Sequence, residues 1–234
     1  MRNRVVLITG ASSGIGAACA RALAESSRLA LVARRKDRLD EVVSAITDLG
    51  GDALAIDADL TAPGACESVV ARCQEEFGGL DALVNNAGVF KTASTASLTR
   101  DHVRSQVLLN LEVPIMLTHA ALPLLCKNGG GSIVNVSSIA AVSAFAGCGV
   151  YAATKAGLDA WSASLREELR ADHVRVSVVV PGATDTEVWG EDCPFDRSGM
   201  ARAEDVARCV RFVLDAPASA AIDRMVVMPP GGAL

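Results

Sequence analysis

Short apolar runs recur along the chain at Arg4 to Thr9, Leu29 to Ala33, Ala53 to Asp57, Ala82 to Asn85, Ser132 to Ser137, Arg175 to Val180 and Arg224 to Met228. Their apolar residues run continuously, the pattern of strands buried on both faces. Between them, helical spacing predicts helices over Ile15 to Glu25, Arg38 to Leu49, Ala65 to Phe77, Thr99 to Cys126, Tyr151 to Arg170 and Ala203 to Leu214. Regular alternation of buried strands and helices implies a parallel sheet, and right-handed crossovers make it a three-layer, doubly wound, Rossmann-like α/β fold. No Pro/Ser-rich linker or charge block divides the 234 residues, so one domain spanning 1–234 is expected.

Composition narrows the function classes. A net charge of −5 with scattered Lys and Arg provides neither a basic stripe for nucleic acid nor a basic amphipathic helix for a membrane, so neither partner is expected. Arg2 and Arg4 precede an apolar run of only Val5 to Ile8, too short for an export signal or a span. Seven cysteines without a CxxC pair read as small buried hydrophobes in a reducing, cytoplasmic setting. His102, His119 and His173 lie far apart, and no metal site is expected.

The stretch TGASSGIG, Thr9 to Gly16, falls where the first strand hands over to the first helix. Gly10, Gly14 and Gly16 there let the backbone turn tightly and approach a nucleotide pyrophosphate, which free amides and the positive helix end attract. Ser12, Ser13 and Ile15 complete this candidate cofactor turn. The spacing is G-x-x-x-G-x-G, so its meaning depends on the motifs that follow.

Those motifs are NNAG at Asn85 to Gly88, Asn110 within the long fourth helix, VSS at Val136 to Ser138, YAATK at Tyr151 to Lys155 and PGATDT at Pro181 to Thr186. Tyr151 and Lys155 stand four apart on one helix face, where a nearby ammonium favours phenolate. A lowering of the tyrosine by roughly two to three pH units, about 3 to 4 kcal/mol, would make it a usable acid and base near neutrality. Ser138 leaves the C-terminal end of a central strand, where ligands of doubly wound sheets bind, and its hydroxyl can polarise a carbonyl oxygen.

In order and spacing, these motifs resemble those of the short-chain dehydrogenase/reductase family, in its short single-domain branch, along essentially the whole chain. The resemblance implies that Tyr151 passes a proton, Lys155 also holds the nicotinamide ribose, Ser138 orients the substrate oxygen, and Asn110 holds a water linking Lys155 to solvent. It further places Asp59 and Leu60 at the adenine and Asn86, Ala87 and Gly88 along the cofactor ribose. Thr186 falls at the nicotinamide carboxamide, brought there by the turn at Pro181 and Gly182.

Cofactor choice turns on LALVARRKDRL at the end of the second strand. An acidic residue there would accept from the ribose hydroxyls of NAD; Ala33 followed by Arg34 and Arg35 suits a 2′-phosphate instead. NADP(H) is therefore the expected cofactor; the family resemblance implies that the arginine directly after the vacant acidic position, Arg34, is the principal phosphate ligand, with Arg35 in support.

The substrate end draws on IAAVSAFAGCG and EVWGEDCPFDRSGM, where Phe145, Val188, Trp189 and Phe195 suit an apolar wall, although Trp189 and Phe195 equally suit a loop staple. With no arginine in the first segment and an isolated Arg197 in the second, a neutral or weakly polar carbonyl or hydroxy compound is expected. The tail IDRMVVMPPGGAL lacks the valine-aspartate-glycine-glycine ending common in acyl-carrier-protein reductases, which argues against an acyl-chain role. Small residues along the helix from Tyr151 (Ala152, Ala156, Ala160, Ala163) allow close helix approach, and the resemblance implies a homotetramer or homodimer. The expected activity is an NADP(H)-dependent carbonyl reductase or alcohol dehydrogenase. The alternative is a non-catalytic NADP(H)-binding sensor or scaffold.

Overall fold

The computed structural model describes residues 4–127, 129–190 and 196–232. Its elements are β1 (Arg4–Thr9), α1 (Gly14–Leu23), β2 (Ser27–Ala33), α2 (Lys36–Thr47), β3 (Asp52–Asp57), α3 (Ala65–Phe77), β4 (Ala82–Asn85), α4 (Arg100–Val107), α5 (Val113–Leu125), β5 (Ser132–Val136), α6 (Gly149–Glu168), β6 (Arg175–Pro181), β7 (Thr184–Asp185), β8 (Ala201–Arg202), α7 (Ala203–Leu214) and β9 (Arg224–Val227). Among the described residues, seven strands form one sheet in the order β3-β2-β1-β4-β5-β6-β9, every pairing parallel. The order reverses between β1 and β4, and the cleft opens at that switch point, beyond the strands' carboxyl ends.

Alternate residues of each central strand serve opposite layers. Val6 and Ile8 of β1 pack with Leu23 of α1, Leu39, Val42 and Ile46 of α2 and Val206 and Val210 of α7. Val5 and Leu7 face the other way, among Val69, Val70 and Cys73 of α3, Leu117 and Leu125 of α5, and Leu165 of α6. Fully burying a Val or Leu contributes about 1.5–3 kcal/mol, so each strand stabilises both layers at once. This explains why the runs read as continuously apolar.

Two features differ from the sequence expectation. The helix expected over Thr99 to Cys126 is interrupted by a π-helical turn, Leu108–Glu112, with Pro114 in the first turn of α5. Such turns push one residue out of register and occur often at functional sites; here the residue at its centre is Asn110. The stretch Arg100–Leu125 is long and apolar enough to cross a bilayer, yet its Leu117, Ala121, Leu124 and Leu125 are packed in the core. The second difference is the two-residue pair β7·β8, which ties the segment after β6 back to the start of α7 and has no signature in a hydrophobic pattern this short.

Candidate active site

A cleft of about 1150 Å³ runs from the end of β2 across the β1–α1 turn to the start of α6. At its centre, Gly10 and Gly14 have φ of 66° and 53°, the left-handed region that glycine enters freely. A Cβ on Gly10 would lie 2.9 Å from the Asn86 amide nitrogen, and one on Gly14 3.1 Å from the Thr186 methyl. Gly16 lies behind the cleft, where a Cβ would strike the Gly10 carbonyl oxygen at 2.3 Å. It permits the turn to pack on α1. Ser13, the N-cap of α1, makes no side-chain capping bond, so the first amides of α1 are left for a ligand.

The β1 and β4 ends are tied together by Thr9. Its hydroxyl oxygen accepts from the backbone N–H of Asn86 and of Ala87, both at 2.9 Å. The Asn86 side chain returns the connection by donating to the Thr9 carbonyl at 2.8 Å. Deeper, Asn85 donates to Asn135 of β5 at 2.8 Å, and Asn135 donates to Ser162 of α6 at 2.8 Å. A buried polar chain thus registers α6 on the sheet.

At the end of the cleft beside β2 and β3, Asp59 accepts from the Thr61 hydroxyl and backbone N–H, bonds that hold its carboxyl below the usual range. Arg34 approaches Asp59 only to 3.9 Å and remains exposed. Arg35 is more committed: it donates to Ser13 at 2.6 Å and Ser12 at 3.2 Å, and pairs with Glu187 at 2.7 Å. Arg38 reaches the other Glu187 oxygen at 3.2 Å. Leu60, Ile15 and Ala87 line the cleft with them.

At the opposite end, Ser138 follows β5, Tyr151 lies in the first turn of α6 and Lys155 one turn further on; all three line the cleft. The buried Lys155 donates from Nζ to the Val136 carbonyl at 2.8 Å, and its Nζ lies 5.8 Å from the Tyr151 ring centroid. Burial drives Lys155 down to about 8, with the Asp159 carboxylate pulling upward. Burial also pushes the Tyr151 hydroxyl up to about 12, against an opposing hydrogen bond with Ser138. The expected lowering of Tyr151 is therefore reversed. The desolvation that disfavours phenolate also weakens the ammonium meant to support it.

Asn110 is fully buried behind this wall. Its side chain accepts from the Val89 N–H and donates to the Val89 carbonyl, each at 2.8 Å, and donates to Thr154 at 3.3 Å. Gly88 separates it from Lys155: a Cβ there would stand 3.2 Å from the Asn110 oxygen and 3.8 Å from Lys155 Nζ. Pro181 and Gly182 end β6, and the Gly182 N–H donates to Val227 of β9 at 2.8 Å. That anchor delivers Thr186 opposite Gly14.

The substrate end carries a residue that the sequence reading passed over. Phe90 lies two residues beyond the NNAG turn and stands edge-on to Tyr151, centroids 4.9 Å apart, and against Trp189 at 5.3 Å. Trp189 lines the cleft and also donates from Nε1 to the Thr184 carbonyl at 2.8 Å, so it is both wall and staple. Phe145 and Val188 line the same end; Phe195 lies outside the described residues. Thr9 opens the glycine-rich motif but nothing in its spacing shows its bonds to the Asn86 and Ala87 amides, and Glu187 shows no motif spacing; Phe90 could have been found from its place after a strand-end turn.

A strand-end cleft with a glycine-rich entry to the first helix is the arrangement of the nucleotide-binding proteins of the doubly wound class. The chain belongs to the short chain dehydrogenase family, whose sequence model matches residues 4–195. An uncharacterized oxidoreductase of Methylorubrum extorquens is 36% identical over 229 residues, 91% of each chain. A metagenomic short-chain oxidoreductase solved in complex with NADP superposes with a TM-score of 0.86 at 31% identity, covering 97% of this chain and 96% of that one. An alcohol dehydrogenase from the archaeon Thermococcus sibiricus, complexed with 5-hydroxy-NADP, gives a TM-score of 0.91 at 28% identity over 98% and 97% of the two chains.

Proposed function

We propose that this oxidoreductase interconverts a carbonyl compound and its alcohol with NADP(H), through Ser138, Tyr151 and Lys155 and with Asn110 behind them. The observation that carries the reading is the meeting of Ser138, Tyr151 and Lys155 on one wall of the cleft whose centre is the glycine-rich turn. The residues fit a dinucleotide: uncapped amides at the start of α1 suit a pyrophosphate, glycines keep the turn open, and Arg34 stands exposed where a 2′-phosphate would need a cation.

The nicotinamide, when bound, supplies or accepts hydride at the carbonyl carbon. The Tyr151 hydroxyl gives its proton to the carbonyl oxygen in reduction and takes it back in oxidation. Held up to about 12 by burial, Tyr151 is protonated across the physiological range, which suits proton donation. Ser138 hydrogen-bonds the same oxygen as it gains charge. Lys155, fixed on the Val136 carbonyl, keeps positive charge beneath Tyr151 as the proton leaves.

The test follows NADPH consumption by wild type and Tyr151→Phe over ketones, aldehydes, β-keto esters and dicarbonyls, with NADH in parallel. Turnover preferring NADPH, reduced by about 10²- to 10⁴-fold in Tyr151→Phe, is expected. Tight NADPH binding with no turnover on the panel would favour the sensor or scaffold.

A further inference from the structure

Among the described residues the charged side chains lining the cleft are Arg34, Arg35, Asp59 and Glu187, which gather at the end of the cleft beside Arg35, and Lys155, which is buried and committed to the Val136 carbonyl rather than turned to the outer face of Tyr151. Around the outer face of Tyr151 the wall is Phe90, Phe145, Val188, Trp189 and small uncharged residues. Arg197, the single basic residue between Thr186 and Met200, is held elsewhere, on Asp185 at 3.0 Å and on the Gly190 carbonyl at 2.8 Å. A substrate carboxylate or phosphate at this end would lose its water without gaining a cation, which is strongly unfavourable.

The rings define the remaining preference. Trp189, Phe90 and Tyr151 form a series of tilted contacts, with interplanar angles of 63° and 85°. Trp189 is held by its bond to Thr184, so the series is a fixed surface rather than a set of loose side chains. Edges and faces presented this way accept another ring in offset or edge-on geometry, an interaction an alkyl group lacks.

Resting on the oxidoreductase reading above, we propose that the substrate is a neutral carbonyl compound bearing an aryl group beside the carbonyl. The ring continues the Trp189–Phe90–Tyr151 series, and the carbonyl oxygen faces Ser138 and Tyr151. In reduction, hydride from NADPH forms the new C–H bond, the carbonyl π pair moves to oxygen, and the Tyr151 proton completes the alcohol.

Three probes separate charge from ring: ethyl benzoylformate (neutral, aryl), benzoylformate (anionic, aryl) and ethyl pyruvate (neutral, no ring). With NADPH, kcat/KM for ethyl benzoylformate is expected to exceed each of the others by about tenfold or more. Trp189→Ala is expected to shrink the advantage over ethyl pyruvate through KM, with NADPH affinity measured separately as a check on folding. Benzoylformate equal to or better than its ester would overturn the neutral class, and ethyl pyruvate equal to the aryl ester would overturn the ring preference. Binding provides a readout free of turnover, because in a Trp161→Phe background the emission belongs to Trp189 alone, the chain having two tryptophans. Quenching that ranks the aryl ester first without reduction of any probe would sustain the substrate class and overturn the catalytic reading. Quenching that ranks the three equally would overturn the substrate class itself.

Discussion

Arg35, the N-cap residue of α2, and Glu187, directly after Thr186, join across the mouth of the cleft at 2.7 Å. The bridge connects the end of β2, where we propose that the 2′-phosphate is read, to the segment after β6, where we propose the nicotinamide and substrate contacts. Arg34 is the freer cation, which fits it to the principal role at a 2′-phosphate and leaves Arg35 shared with an internal carboxylate.

That sharing predicts the effect of Glu187→Gln. Without the carboxylate, Arg35 and Arg38 turn toward the 2′-phosphate, and NADPH affinity should rise about two- to fivefold relative to NADH, the scale of an exposed ion pair. Arg34→Asp should reverse the NADPH preference. Equilibrium titration with both cofactors measures each ratio, and an unchanged ratio in both variants would show that this corner does not read the phosphate.

Lys155 predicts a pH dependence of rate and stability with opposite signs. With its folded value at about 8, the ammonium that supports proton loss from Tyr151 disappears above that pH, so the rate of carbonyl reduction should decline there. For stability, the unfolded lysine keeps its proton to about 10.5 while the native one has released it, so the lysine contribution rises with pH between those values. Buried Cys19, Cys66 and Cys73 act oppositely, since burial raises their thiols and favours the native state less as unfolded thiolates form. Comparison with Lys155→Met isolates the lysine: between pH 7.5 and 9.5 wild type should gain about 2 kcal/mol relative to the variant in urea unfolding. Parallel stability curves would refute the assignment.

Thr9→Val keeps the shape of the side chain and removes the acceptor that holds the Asn86 and Ala87 amides. A loss of about 1–3 kcal/mol is expected, together with weaker NADPH binding because the turns of β1 and β4 separate. Thr9→Ser should retain most of both. Urea midpoints and cofactor titration distinguish these outcomes.

The resemblance-based homodimer or homotetramer has a testable face on α5 and α6. Gly157 is used internally, its Cα packed where a Cβ would meet Leu111 at 3.2 Å, whereas Ala153, Ala160 and Met116 are exposed. We expect wild type to sediment as a dimer or tetramer and Ala160→Arg to shift toward a smaller species. A wild-type monomer at micromolar concentration would remove this proposal.

Much of the molecule is legible in the chain itself. A sheet buried on both faces requires continuous apolar runs, so strand and helix order could be read directly, with β1, β4, α3 and α7 bounded as expected. Gly10, Gly14, Tyr151 and Lys155 were legible because tight turns and one-helix-turn spacing leave local signatures, Ser138 from its place at a strand end and Thr186 only from the family resemblance; the structure brings all six to one cleft. The interruption at Asn110 was not legible: the side chain at its centre bonds Val89 and Thr154, residues far from it in sequence, and no spacing along the helix reports such partners. Phe90 beside Trp189, Glu187 on Arg35, and the direction of the Tyr151 shift also belong to the tertiary structure. Ring contacts, ion pairs between separate loops and desolvation depend on what surrounds a side chain in space, and sequence spacing reports only its neighbours along the backbone.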